Sequence, residues 1–130
     1  LSLWERAGVR EINFGKEMIT LYGIKNCDTV KKARTWLDKN QIAYQFHDFR
    51  ADGITEAQVA NWISDLGLET LVNKRSTTWK ELDEATKNNF DQIAVQVISK
   101  NPTLIKRPLL DTGKQKYVGF KDTEYSTIFN

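Results

Sequence analysis

The sequence predicts an α/β fold: a mixed four-stranded sheet covered by helices, with a further block of helices inserted in its middle. Three observations predict it. Ile19 and Leu21 alternate with Thr20 and Tyr22, an amphipathic helix follows, and Ile42, Tyr44 and Phe46 alternate again. That is a β-α-β unit, and a helical crossover makes its two strands parallel. Residues 55–99 then carry helical periodicity alone. Two short apolar runs joined by a glycine-bearing turn, and one last helix, end the chain.

The only methionine is Met18, and a strand starts there. Residues Leu1–Glu17 are therefore read as an N-terminal extension outside the fold, either foreign to the domain or an appendage of it, with Trp4 exposed or loosely docked. The extension lacks the apolar core and small-residue cleavage site of a signal peptide. The domain is expected to span 18–130, with the helical insertion at about 54–101.

Met18–Tyr22 is the first strand and Gly23–Asn26 the loop after it. Asp28–Lys39 is a helix, since Val30, Ala33 and Leu37 share one face with Trp36 beside them; Asn40 suits its end. Ile42–His47 is the second strand. Thr55 with Gln58 forms a capping box ahead of Val59, Ile63 and Leu66, with Trp62 alongside, and Gly67 stops that helix. Glu69–Val72 makes a further turn, and a second capping box, Thr78 with Glu81, opens a brief helix. Thr86–Ser99 carries Phe90, Ile93, Ala94, Val97 and Ile98 at i, i+3, i+4, i+7 and i+8, and Pro102 marks the break after it. Pro108–Asp111 and Lys116–Phe120 read as a hairpin about Asp111-Thr-Gly-Lys114, and Tyr125–Phe129 as the last helix. The order β-α-β, helical block, β-β-α is a thioredoxin-like layout with helices inserted.

Composition narrows the function. A net charge of +2 is too small to argue for nucleic acid, and the apolar runs are too short to cross a bilayer. One cysteine excludes an internal disulfide framework, and one cysteine with one histidine leaves no Cys/His metal set. A reduced, cytoplasmic setting fits best. No bound cofactor and no metal are expected.

The cysteine itself, Cys27, falls where a strand becomes a helix. A helix start offers unpaired N–H groups and the positive end of a dipole, and both stabilise a thiolate, the reactive form. Lys25, Lys31 and Lys32 add positive charge. Asn26 and Thr29 flank the thiol and either cap the helix or donate to the thiolate. Val30 stands where a Cys-x-x-Cys pair would have its second thiol, so a resolving thiol must come from outside the chain. His47, the only histidine, reads as a solvated strand-end residue more readily than as a base for Cys27. Trp36, Trp62 and Trp79 read as packing.

Three segments, Leu21-Tyr-Gly-Ile-Lys-Asn-Cys27-Asp-Thr, Asn73-Lys-Arg75-Ser-Thr-Thr-Trp79-Lys-Glu-Leu and Leu104-Ile-Lys-Arg107-Pro108-Leu-Leu, together resemble the arsenate reductase (ArsC) family, including its Spx and YffB-like members. The likeness is to the YffB-like branch above all, through Gly-Ile-Lys-Asn-Cys-Asp-Thr and Thr-Thr-Trp. The resemblance implies a cysteine that attacks an oxyanion or a mixed disulfide, with glutathione as co-substrate, or glutaredoxin, as the reducing partner. Cys27 falls on the nucleophile and Arg107 on an arginine that binds the anion. Arg75 lies near the family's other anion-binding arginine, although Asn73 falls in strict register with it. The third arginine of the arsenate reductases falls near Phe120, with Lys121 next door, and the histidine of their cysteine loop falls on Gly23. Thioredoxin-like folds also resemble one another in a cis-proline facing the cysteine, which implies a cis bond at Pro108. Lys25, Asn26 and Thr29 join Arg75 and Arg107 as expected anion or glutathione contacts. A small oxyanion or mixed-disulfide substrate, no direct nucleic-acid or membrane contact, and action as a monomer are expected. The alternative is an Spx-like regulator that binds RNA polymerase or another partner without turnover.

Overall fold

A computed structural model gives the structure of residues 18–129. The extension Leu1–Glu17, with Trp4, lies outside the described residues. Strand β1 (Thr20–Gly23), helix α1 (Asp28–Lys39) and strand β2 (Gln45–Asp48) form the β-α-β unit. Helices α2 (Glu56–Leu66), α3 (Leu68–Leu71), α4 (Thr77–Glu81), α5 (Glu84–Asn88) and α6 (Phe90–Lys100) form the insertion, which leaves through a 3-10 turn at Pro102–Leu104. Strands β3 (Leu109–Asp111) and β4 (Lys116–Val118) and helix α7 (Asp122–Ile128) complete the fold. The sheet is mixed and four-stranded, in the order β2-β1-β3-β4. β1 and β2 run parallel, whereas β1–β3 and β3–β4 are antiparallel.

The pleat divides the core between two faces, because successive side chains of a strand point opposite ways. Leu21 of β1 pairs with Leu110 of β3, and both are fully buried with Ala33 and Leu37 of α1 and Tyr125 of α7. Tyr22 and Leu109, the next pair along, face the other way into a cluster with Val59 and Trp62 of α2, Leu71 of α3 and Ala94 and Ile98 of α6. The insertion therefore roofs one face of the sheet, and α1 with α7 covers the other. A fully buried leucine contributes roughly 1.5–3 kcal/mol, so both halves of the core are substantial.

Several elements differ from the sequence reading. The second strand starts at Gln45, not Ile42, because α1 ends in a Schellman motif: Gln41 takes φ 59° and donates to Asp38 O, and Ile42 donates to Leu37 O. The left-handed residue is thus Gln41, one past Asn40. α4 starts at Thr77 and its cap is Ser76, whose Oγ accepts the Trp79 N–H at 3.1 Å. Thr78 instead shares a hydrogen bond with the Thr103 hydroxyl. The expected helix 86–99 is two helices that meet at Asn89, with Asp83 capping the first through the Thr86 N–H at 2.7 Å. β4 stops at Val118, where Gly119 turns at φ 81°. α7 begins at Asp122, three residues early, with Asp122 and Glu124 at its dipole-positive start. The Thr55–Gln58 capping box forms as expected, each residue's side chain accepting the other's backbone N–H.

Candidate functional site

One end of the sheet gathers the three sequence segments. β1 and β2 both finish there, with Gly23 level with Asp48, and β3 begins there, because Tyr22 pairs with Leu109 antiparallel. The loop after β1 carries Cys27, and the residues before β3 are Arg107 and Pro108. The Arg107–Pro108 peptide bond is cis. The bridge between Val72 and Ile105 lays the third segment alongside: Asn73 N–H donates to Leu104 O at 2.7 Å and Lys106 N–H to Leu71 O at 2.8 Å. Residues 71–73 thus run antiparallel to 104–106, with Asn73 opposite Leu104.

Cys27 is the N-cap residue of α1, with extended backbone (φ −84°, ψ 126°) and no side-chain cap bond. Its N–H donates to Ile24 O at 3.1 Å, and its carbonyl accepts the Lys31 N–H at 3.0 Å. At such a position an oxygen normally accepts from the N–H groups of the first turn; here a sulfur stands there, partly buried against the insertion-side core. Asn26 and Thr29 therefore flank the cap without being it. Val30, three residues on, is fully buried. A Cβ on Gly23 would meet Val30 Cγ2 at 2.7 Å, so the glycine lets β1 and α1 approach closely just before the loop.

Lys25 and Asn26 are exposed. The Lys25 N–H donates to Asp48 Oδ2 at 3.3 Å, and Asp48 Oδ1 accepts from Arg50 N–H at 2.8 Å and Ala51 N–H at 3.2 Å. Burial alone would raise the Asp48 carboxyl, but these N–H groups, with the Lys25 charge, outweigh it and hold it below the usual carboxylate value. Sequence reasoning missed Asp48, whose one visible signal was its place at a strand end before a turn.

Arg107 is partly buried. Nη1 donates to Thr103 O at 3.3 Å, whereas Nε is buried and has no hydrogen-bond partner among the described residues. Arg75 is exposed, and its backbone N–H donates to Asn73 Oδ1 at 3.0 Å. The Asn73 side chain is thus used within the turn, while the Arg75 guanidinium faces solvent. His47 Nε2 lies 2.6 Å from Gly53 O, and its ring tilts on Tyr22 at 4.9 Å. It fastens the chain leading into the insertion. Trp62 is buried, Trp36 packs edge-on to Tyr125 at 5.5 Å, and Trp79 meets Phe90 at 4.9 Å. A groove of about 710 Å³ lies apart from the thiol, lined by Ile63, Leu66, Leu68 and Lys74 of the insertion among others. Among the described residues no cluster of His, Cys, Asp or Glu is placed to hold a metal, and no helix is long and apolar enough to cross a membrane.

The sequence profile of the ArsC family matches residues 22–128. An uncharacterized protein of Haemophilus influenzae is 48% identical over 113 residues, covering 86% of this chain and 99% of that protein. The solved structure of a protein named YFFB superposes with a TM-score of 0.80 at 43% identity, covering 85% of this chain and 97% of that one. The global transcriptional regulator Spx of Streptococcus mutans is 28% identical over 109 residues, 82% of this chain and 80% of that protein.

Proposed function

The chain belongs to the ArsC family, with its thioredoxin-like fold, and from that premise we propose that it is a thiol oxidoreductase in which Cys27 is the nucleophile and glutathione the external thiol. The observation that carries this reading is the thiol at the N-cap of α1, where the Cys27 side chain makes no cap hydrogen bond among the described residues. A thiolate at that position receives the first-turn N–H groups and the favourable end of the dipole. In the first step the Cys27 thiolate attacks the sulfur of a glutathionyl mixed disulfide. A Cys27–glutathione disulfide forms, and the displaced thiolate leaves and takes a proton from water. The thiolate of a second glutathione then attacks this adduct, releasing oxidised glutathione and returning Cys27 as thiolate. Val30 fills the position of a resolving cysteine with a core side chain, which supports an external thiol.

Arg107 supplies the anion contact. Its partly buried guanidinium stands next to the cis-proline, and a guanidinium suits the carboxylates of glutathione or a small oxyanion. In this reading Lys25, Asn26 and Thr29, which flank Cys27 in the chain, and the exposed Arg75 supply further anion contacts. Such a reaction belongs in a reducing compartment such as the cytoplasm, with glutathione or glutaredoxin restoring the thiol.

Turnover of a glutathionylated peptide by reduced glutathione tests the reading. Cys27→Ser abolishes it, and Arg107→Ala raises KM more than it lowers kcat. Turnover by Cys27→Ser equal to the parent's sinks the nucleophile. A second reading, a regulator that binds a partner without turnover, is favoured by the likeness to Spx. It predicts the opposite outcome: Cys27→Ser leaves partner binding unchanged, and no glutathione-dependent turnover is found in the parent chain.

A further inference from the structure

Asp48 ends β2 level with Gly23 across the parallel pair, and three backbone N–H groups converge on its carboxylate. Two of them, from Arg50 and Ala51, close a turn on its own strand, as an Asx residue commonly does. The third comes from another element: Lys25, two residues before Cys27, donates to Oδ2 at 3.3 Å. The turn beneath is braced on its own account. Asp48 N–H donates to Asp52 Oδ2 at 3.0 Å and Asp52 N–H to Asp48 O at 2.8 Å, while Phe49 N–H, donating to Gly23 O at 2.8 Å, carries the β1–β2 ladder one step past Asp48. His47 adds its contact with Gly53 O. The carboxylate is thus fixed from its own side before it meets the cysteine loop. The other hydrogen bond in that loop, Cys27 N–H to Ile24 O, is local; the Ile24 side chain anchors the loop's start in the insertion-side core, which leaves Lys25 and Asn26 exposed.

We infer that Asp48 is a positioning residue for the Cys27 thiol: its carboxylate ties the loop 24–26 to the end of β2 and so fixes where the head of α1 and the sulfur stand. The inference rests on the reading of Cys27 as a nucleophile. A role through charge alone has the opposite sign, since a nearby negative charge disfavours a thiolate and repels anionic substrates. Neutralising Asp48 would then speed the thiol, whereas loosening the loop slows it.

Asp48→Asn separates the two. The amide oxygen can keep the bonds from Arg50 and Ala51, but the NH2 group cannot accept the Lys25 N–H. Alkylation rates of the folded protein with iodoacetamide and iodoacetate, which share a leaving group and differ in charge, are the readout. Both rates are expected to fall together by roughly tenfold, because a sulfur displaced from the first-turn N–H groups loses thiolate character, which both reagents require. Asp52→Asn, which keeps an acceptor for the Asp48 N–H and does not touch the cysteine loop, is expected at the parent rate. Asp48→Glu, which keeps the charge and moves the carboxylate, is expected to be slow, and it decides the matter if Asp48→Asn does not fold. Rates that rise, stay unchanged, or change for iodoacetate alone overturn the inference, as does a lower melting temperature with parent rates. The nucleophile reading fails separately, if the parent chain itself reacts no faster than free glutathione; the ratio of variant to parent still decides the role of Asp48.

Discussion

At the N-cap of α1, where most helices carry an oxygen, this chain carries sulfur, and the residues around it are set by that placement. Gly23 and Val30 are an example. The glycine ends β1 and the valine sits one turn into α1, fully buried, with only 2.7 Å between Val30 Cγ2 and the place a Cβ on Gly23 would take. Gly23→Ala forces one of them to move, and overpacking of this kind costs about 1–3 kcal/mol. Trimming the neighbour relieves the clash, so Gly23→Ala with Val30→Ala is expected to be less destabilising than the sum of the two single changes. Urea unfolding of the four chains measures that coupling. Cys27 was legible in the sequence because a strand pattern, a short loop and a helix pattern fix its position. The packing of Gly23 on Val30 was not, because one-dimensional spacing says nothing about how closely two backbones approach.

Among the elements, the helix opened by Thr55 formed as read. Thr55 and Gln58 carry a reciprocal cap that short-range chemistry specifies completely. Thr55→Ala removes the oxygen that accepts the Gln58 N–H and is expected to lower stability by roughly 0.5–2 kcal/mol, with Thr55→Ser close to the parent in thermal unfolding. Thr78 with Glu81 has the capping-box pattern, whereas Ser76 has Trp79 three residues on, so local sequence favours the wrong cap. The choice between them was made by tertiary contacts: Ser76 Oγ also donates to Asn73 O, and Thr78 is held by Thr103, 25 positions on. The division of the expected helix 86–99 at Asn89 escaped for a similar reason, since an apolar stripe continues across a break that leaves the face unchanged. The strand boundaries moved by one to three residues where a positive-φ residue, Gln41 or Gly119, ended regular structure.

Across the whole molecule, the sheet brings together segments that are far apart in sequence. Cys27 and Arg107 stand out through short motifs 80 residues apart, and the antiparallel pairing of β1 with β3 puts both at the same end of the sheet. Asp48 could not be found that way: its partner Lys25 is 23 residues away, and a strand-end aspartate reads as a turn residue. Its ionisation also links the site to global stability. The folded carboxyl lies below the usual carboxylate value, so its contribution is complete above that value, about 3.9 for aspartate, and is lost as pH falls through the folded one. The gap in urea midpoint between the parent chain and Asp48→Asn is therefore expected to be constant near neutral pH and to close on acidification. A gap that widens towards acid contradicts the assignment.

The most direct measurement of the central chemistry is the rate at which oxidised glutathione forms a mixed disulfide on Cys27 in the folded chain. Intact mass follows it, beside the same reaction of a small free thiol at equal pH. A thiolate held at a helix start predicts a rate above that of the small thiol, full reversal by reduced glutathione, and no adduct on Cys27→Ser. A rate no higher than the small thiol's, or an adduct only after unfolding, contradicts Cys27 as the nucleophile.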